Sequence, residues 1–315
     1  MTQHDSPPVA SLESGGPAIA PEVEEPPHKF VYEVVQGFFV QNGPEPKHIE
    51  FEDLLGKSFG LIDECPDRWH NLKASVEALQ NKAPAGVIYK VLFLGRHGQG
   101  FHNVAESKYG TEAWEAKWAL LNGDGELTWG PDPFLTPLGV SQAQAVNDTW
   151  RKEAPLGAPV KSGEMRWYCS PMTRTGETME TSWKGVVEEG ERIEVWEDFR
   201  EIYGVHTCDK RSTKSIIKER FPAFTIEDGL AEEDELWKPD DRETDEHMQF
   251  RARRAMDRLF GRRGAGKTYI SITGHSAIFR NLLAVLNHQP YPLATGEMIP
   301  VVVKATHTSI ERPKA

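Results

Sequence analysis

Cysteine is scarce in this chain of 315 residues: Cys65, Cys169 and Cys208 are the only three. No two of them form a C-x-x-C pair, so neither a disulfide framework nor a cysteine-based zinc site is expected, and the compartment reads as reducing. No apolar run of 18 residues occurs, which excludes an apolar membrane-spanning helix. The first thirty residues have no basic start followed by an apolar core, so no secretory signal is expected. Basic side chains are outnumbered too, 36 Lys and Arg against 48 Asp and Glu, for a formal charge of −12. That balance argues against a general affinity for nucleic acid or anionic membranes and leaves room only for a local basic pocket. A cytoplasmic protein is expected, with a nuclear location also open. The oligomeric state leaves no mark in the sequence.

Residues 1–28 are rich in Pro, Ser, Gly and Glu, a composition that cannot offset the entropy of ordering, and a disordered tail is expected there. Residues 29–87 combine aromatic clusters (Phe38 with Phe39, Phe51, Phe59, Trp69) with the helix-like run WHNLKASVEALQNK, and read as an N-terminal extension packed on the core. The main domain is expected over 88–315. It opens on IYKVLFLG, a short apolar run closed by glycine that suits a strand buried on both faces. RWYCS (166–170), RIEVWE (192–197), TYISITG (268–274) and MIPVVVKAT (298–306) read as further strands. SQAQAVNDTWRKE, TGETMETSWKGVVEE and EHMQFRARRAMDRLFGR, the last with Phe250, Met256, Leu259 and Phe260 near helical spacing, read as helices. The alternation predicts an α/β fold with a mainly parallel sheet, whose ligands bind beyond the carboxyl ends of its strands.

One stretch, GRRGAGKT at 261–268, fits the G-x-x-x-x-G-K-[ST] phosphate-loop pattern letter for letter. Such a loop needs a strand before the glycines and a helix after the lysine. Here the order is reversed, so the stretch reads as an ordinary helix C-terminus rich in glycine and basic residues. A nucleotide-driven ATPase therefore ranks last among the functional readings.

Chemistry concentrates at three strand ends. LGRHGQGFHN (94–103) supplies Arg96 and His97, with Gly98 and Gly100 to let backbone approach a bound group. YCSPMTRTGET (168–178) places Arg174 near the start of a helix, and SITGHSAIFRN (271–281) supplies His275. A single Arg or His after a strand is more often a surface or capping residue. All three together, each with small neighbours, are the parts of an anion site with a nucleophile.

In this order the motifs resemble the histidine phosphatase superfamily, also called phosphoglycerate mutase-like: R-H-G at Arg96-His97-Gly98, Asn103 six residues after the histidine, S-P-x-x-R-T at Ser170 to Thr175, and G-H-S at Gly274 to Ser276. LTPLGVSQA (135–143) is similar to a further segment of the family. RHGQGFHN, REIYGVHTCDKRS and MIPVVVK look most like a fungal and plant branch of phosphoglycerate mutase-like proteins. The glycolytic mutases carry R-H-G-E-S, whereas this chain has Gln99-Gly100. The resemblance spans about residues 88–306 and implies a three-layer sandwich around a mainly parallel sheet, with insertions over the site.

It further implies a metal-independent phosphomonoesterase without a cofactor, acting on a small-molecule phosphate ester. His97 would form a phosphohistidine, and Arg96, Asn103, Arg174 and His275 would bind the phosphoryl oxygens. A general acid is expected from Glu201, with Glu197 and Asp198 as rivals, since Glu201 stands one residue nearer to its following glycine than is usual. Gln99, Gly100, His206, Arg211 and Ser276 are candidates for the substrate pocket, while C-D-K-R (208–211) equally reads as a structural turn tied by a pair between Asp209 and Arg211. Trp114, Trp118 and Trp129 either floor a pocket or pack an insertion. The acidic run at 228–246 reads as a solvated insertion whose charge disfavours very anionic substrates. The rival readings are a phosphotransferase or mutase of the same fold, and a catalytically weak regulator that binds a phosphorylated ligand.

Overall fold

A computed structural model describes residues 29–45, 49–261 and 266–308; the expected disordered tail at 1–28 lies outside the described residues. In chain order the elements are β1 (Phe30–Val34), α1 (Phe51–Gly56), α2 (Arg68–Asn81), β2 (Val87–Arg96), α3 (Phe101–Tyr109), α4 (Thr111–Ala116), α5 (Pro137–Glu153) and β3 (Met165–Cys169). Then follow α6 (Thr173–Trp183), β4 (Ile193–Val195), α7 (Lys214–Arg220), β5 (Phe224–Ile226), α8 (Asp245–Gly261), β6 (Tyr269–Gly274), α9 (Ser276–Val285) and β7 (Met298–His307). The strands form one sheet in the order β1-β7-β2-β6-β3-β4-β5. The pairs β2/β6, β6/β3, β3/β4 and β4/β5 are parallel, and β7 runs antiparallel to both of its neighbours.

The apolar runs read from the sequence are the central strands, and both faces of them are covered. On one face α8 and α9 pack Met248, Ala252, Met256, Leu259, Ile278 and Leu282 against Leu92, Leu94, Ile270 and Ile272. On the other, Trp69 of α2, Val146 and Trp150 of α5, and Met179 and Trp183 of α6 meet Val91, Phe93 and Trp167. This is the expected three-layer sandwich. Phe250 is only half-buried, with the Arg254 guanidinium over its ring, so the apolar stripe of α8 begins instead at Met248. Helix α6 stops at Trp183, short of the predicted end, and Gly185 turns the chain with φ near 66°.

Two short strands carry too little pattern to be read from sequence. In β1, Phe30 and Tyr32 point into the core while Val31 and Glu33 face out, the alternation of an edge strand. The segment 29–87 thus supplies an edge of the sheet as well as part of one helical layer. Around the phosphate-loop look-alike, α8 precedes and β6 follows, the reverse of a nucleotide site. Residues 262–265 lie outside the described residues, and the Lys267 ammonium donates to the Gly163 carbonyl.

Register sets the three strand ends level. Arg96 pairs with Gly274, and Cys169 with Thr273, so His97, Ser170 and His275 emerge side by side. Helix α5 is aimed at the same place. Thr136 caps it by accepting from Gly139 N (3.1 Å), with Pro137 in the first turn. A Cβ on Gly98 would sit 2.3 Å from Gly139 O, and one on Gly139 would sit 2.2 Å from Gln99 O. Glycine at both positions is what lets the loop after β2 cross the start of α5.

The extension is fastened by Glu153, which is buried and accepts from Arg68 Nη2 (2.6 Å) and Trp69 Nε1 (2.7 Å). Replacing Glu153 by Ala strands both donors, and a loss of about 2–4 kcal/mol is expected in urea unfolding. A loss under about 0.5 kcal/mol would show that the extension is not held there.

Candidate active site

His97 is 1% exposed and lines a cavity of about 180 Å³. Its Nδ1 lies 2.7 Å from the Gly98 carbonyl. A carbonyl can only accept, so Nδ1 carries the proton and Nε2 keeps its lone pair. The His275 ring stands with its centroid 5.0 Å away, and its Nε2 is 2.7 Å from Ser170 Oγ. Arg174, in the first turn of α6, is buried and donates to Cys208 O (2.9 Å) and Asp209 Oδ1 (3.1 Å). Arg96 Nη1 donates to Leu293 O (2.7 Å). Helix α6 also grips the loop, since Thr178 Oγ1 accepts from Gly98 N (3.0 Å). Asn103 spends its Oδ1 on Gly100 N (2.9 Å) at the start of α3, which leaves its amide NH₂ as the donor at the cavity.

Four buried polar atoms here have no hydrogen-bond partner: Arg96 Nε, His102 Nδ1, Arg174 Nε and His275 Nδ1. Buried polar groups are ordinarily paired, so such a concentration around one nucleophile marks a site made for an outside acceptor. Burial pushes the His97, His102 and His275 imidazoles well below the ordinary value of 6.5, and the Arg174 charge acts in the same direction on each. All three rings are therefore neutral at pH 7. A larger hollow of about 580 Å³ between α5, α6 and β4–β5 holds Glu180 and Lys184, but no histidine or arginine among its described lining residues.

A second ring of residues comes from the insertions. Asp209 accepts from Arg174 with one oxygen and from Arg242 Nη1 (2.9 Å) with the other, not from Arg211 within the C-D-K-R turn as expected, because Arg211 is taken by Glu197. Arg242 Nη2 faces His206 Nδ1 (3.1 Å), so His206 Nε2 carries the proton and donates to Glu115 Oε2 (3.0 Å). His206, Cys208 and Asp209 bring possible metal-ligating atoms within 4.8 Å of one another. Those of His206 and Asp209 are already engaged, and burial pushes the Cys208 thiol well up. Trp114 lines the cavity, while Trp118 and Trp129 pack with it and Cys208 into a small core beneath the insertion.

The candidates divide as follows. Arg96, His97, Asn103, Arg174, Glu201, His206 and Ser276 all line the cavity. Glu201 sits at the start of α9, accepting from Ala277 N (3.2 Å) and Ser276 Oγ (3.3 Å). Its rivals are engaged elsewhere, Glu197 with Arg200 and Arg211, Asp198 with Arg254. Arg211 does not line the cavity. It donates to Glu197 and to the carbonyls of Ser212, Ala231, Glu232 and Glu233, anchoring the insertion. Gln99 is likewise turned away, its Oε1 accepting from Thr136 Oγ1 (2.8 Å), and Gly100 serves as the N-cap of α3. Most acidic residues of the run at 228–246 are exposed, as expected of a solvated insertion. Asp234 and Glu243 are each held by two hydrogen bonds, from Arg200 and Arg251 respectively, and the residue of the run that reaches the cavity is the basic Arg242. Sequence reasoning passed over Arg242; its only signal is an arginine inside an acidic stretch.

The family model described as the histidine phosphatase superfamily (branch 1) matches residues 92–311. A probable phosphoglycerate mutase of Arthroderma benhamiae is 36% identical over 90% of this chain and 87% of its own. The probable phosphoglycerate mutase PMU1 of Saccharomyces cerevisiae is 35% identical over 71% of this chain and 81% of its own. Among solved structures, a mycobacterial glucosyl-3-phosphoglycerate phosphatase aligns with a TM-score of 0.41 at 18% identity, over 69% of this chain and 98% of its own.

The depressed imidazoles set a pH dependence. Between 6.5 and the lower folded-state values the unfolded chain binds more protons than the folded one, so stability is full above 6.5 and falls as pH drops through the folded values. Urea midpoints are expected to decline from pH 6.5 to 5, and less steeply in His275→Gln. Identical slopes in the two proteins would overturn this reading.

Proposed function

The chain belongs to the histidine phosphatase superfamily, and from that premise we propose that it is a phosphomonoesterase working through a phosphohistidine on His97. The four unpartnered buried polar atoms around that ring carry the reading. In the first step His97 Nε2 attacks phosphorus, the bond from phosphorus to the ester oxygen breaks, and the departing alkoxide takes a proton from Glu201. In the second, water attacks the phosphohistidine with Glu201 now accepting its proton. The P–N bond breaks, and the electron pair returns to Nε2. Splitting one displacement into two lowers each barrier.

The phosphoryl oxygens carry charge that Arg96 and Arg174 neutralise from fixed positions. We take the Ser170 hydroxyl to donate to His275 Nε2, 2.7 Å away, which places the ring's proton on Nδ1, the atom without a protein partner. A neutral His275 thus still donates. This chemistry asks for no metal, and the substrate class it fits is a small phosphorylated metabolite. A mutase would share the first step and return the phosphoryl group to substrate, so the two activities part only at the fate of the phosphohistidine.

Phosphate release from an aryl phosphate in EDTA is expected for the wild type, and His97→Ala should lower it by more than about 10³-fold. Equal turnover in the variant would sink the proposal. Glu201→Gln should cost an alkyl phosphate about 10²- to 10⁴-fold in kcat and an aryl phosphate far less, because an aryl oxide leaves without a proton. Loss of the same size for both esters would take the proton donor's role away from Glu201.

A further inference from the structure

Once a phosphoryl group occupies Arg96 and Arg174, the rest of the cavity wall has an uneven character. Its carboxylates are Glu106 of α3, Glu115 of α4, Glu201 and Asp209. Its remaining cation is Arg242, already committed to Asp209 Oδ2, the Gly204 carbonyl and His206 Nδ1. Among the described residues lining the cavity there is no lysine. Trp114, Ile202 and Ala277 supply the apolar surface. Beside His97 stand two further buried polar atoms, Arg174 Nε and His275 Nδ1. Both atoms are buried in residues at most 1% exposed and have no hydrogen-bond partner.

A carboxylate accepts hydrogen bonds and donates none. Toward the alcohol portion of a phosphate ester, Glu106 and Glu115 therefore reward hydroxyl groups through charge-assisted bonds and repel a second anion. Resting on the phosphomonoesterase reading above, we propose that these two glutamates select an uncharged, polyhydroxylated alcohol portion. The substrate class is then a sugar or polyol monophosphate, in preference to a phosphorylated acid or a bisphosphate. The selecting residues stand on α3 and α4, not in the acidic run at 228–246. Glu115 is held facing the site by the His206 N–H, a bond that glutamine in its place can still accept.

Glycerol 3-phosphate and 3-phosphoglycerate make the test, because they share a carbon skeleton and differ by a hydroxymethyl group against a carboxylate. Each is measured as substrate, as competitive inhibitor of aryl phosphate hydrolysis, and by the rise it causes in Tm of the resting protein, a reading that needs no turnover. Glycerol phosphate should be favoured by about tenfold or more in the wild type. In the Glu106→Gln/Glu115→Gln double variant the ratio should narrow to within about threefold, chiefly through a gain with phosphoglycerate. A wild-type ratio near one, a preference for phosphoglycerate, or a ratio unmoved by the double variant overturns the proposal. Aryl phosphate turnover that disappears in His97→Ala reports on the underlying phosphatase reading by itself, so the two can fail separately.

Discussion

The buried pair between Arg174 and Asp209 is the contact on which the site's architecture depends. Arg174 is 1% exposed, and its Nε faces the cavity without a partner. A guanidinium in that position is costly unless its other donors are satisfied. Cys208 O and Asp209 Oδ1 satisfy them, and both come from the segment after β4, which is why that segment must fold down over the sheet ends. Asp209 is in turn balanced by Arg242, which draws the next insertion across. The position of the Arg174 charge and the shape of the pocket around it are thus products of one chain of ion pairs.

The scaffold's part is to make the reactive groups coincide without leaving them free to move. Parallel register brings the ends of β2, β3 and β6 level. Two facing glycines, Gly98 and Gly139, allow the first loop to pass the start of α5, and the Gly98 carbonyl then fixes the tautomer of His97. Burial and the neighbouring arginines keep the imidazole neutral. The arginines proposed to bind the phosphoryl group are thus the ones whose charge keeps His97 unprotonated, so in the proposed mechanism binding and activation rest on one electrostatic arrangement.

Much of this was legible in the sequence, and the rest was hidden for identifiable reasons. Apolar runs between helical patterns gave away the central strands, because strands covered on both faces need apolar residues at nearly every position. Arg96, His97 and His275 were visible because they stand at the ends of such runs, and Arg174 because it opens the helix after one. The strand β1 was not, since an edge strand of five residues beside aromatic clusters looks like any packed segment. The choice among Glu197, Asp198 and Glu201 could not be made from spacing, because a 3-10 turn over Glu197–Phe199 decides which carboxylate reaches the cavity. Arg211 and Arg242 were mistaken or missed for one reason. Sequence shows the charge of an insertion, but only the fold shows which charges cancel inside it.

That cancellation bears on how specificity is divided from chemistry in this protein. Read as composition, the stretch from 228 to 246 promises a negative screen over the site. In the fold Asp234 and Glu243 are consumed by Arg200 and Arg251, and what the stretch delivers to the cavity is a guanidinium. Two of the cavity's carboxylates, Glu106 and Glu115, stand instead on α3 and α4, built on the small core of Trp114, Trp129 and Cys208. This core sits against Arg174 through the Cys208 carbonyl, so the element that presents Glu106 and Glu115 is packed onto the residue proposed to hold the phosphoryl group. The separation between Arg174 and the two glutamates is thereby set by packing rather than by loop conformation. Changes to those glutamates can alter which alcohol is accepted while leaving the arrangement around His97 in place.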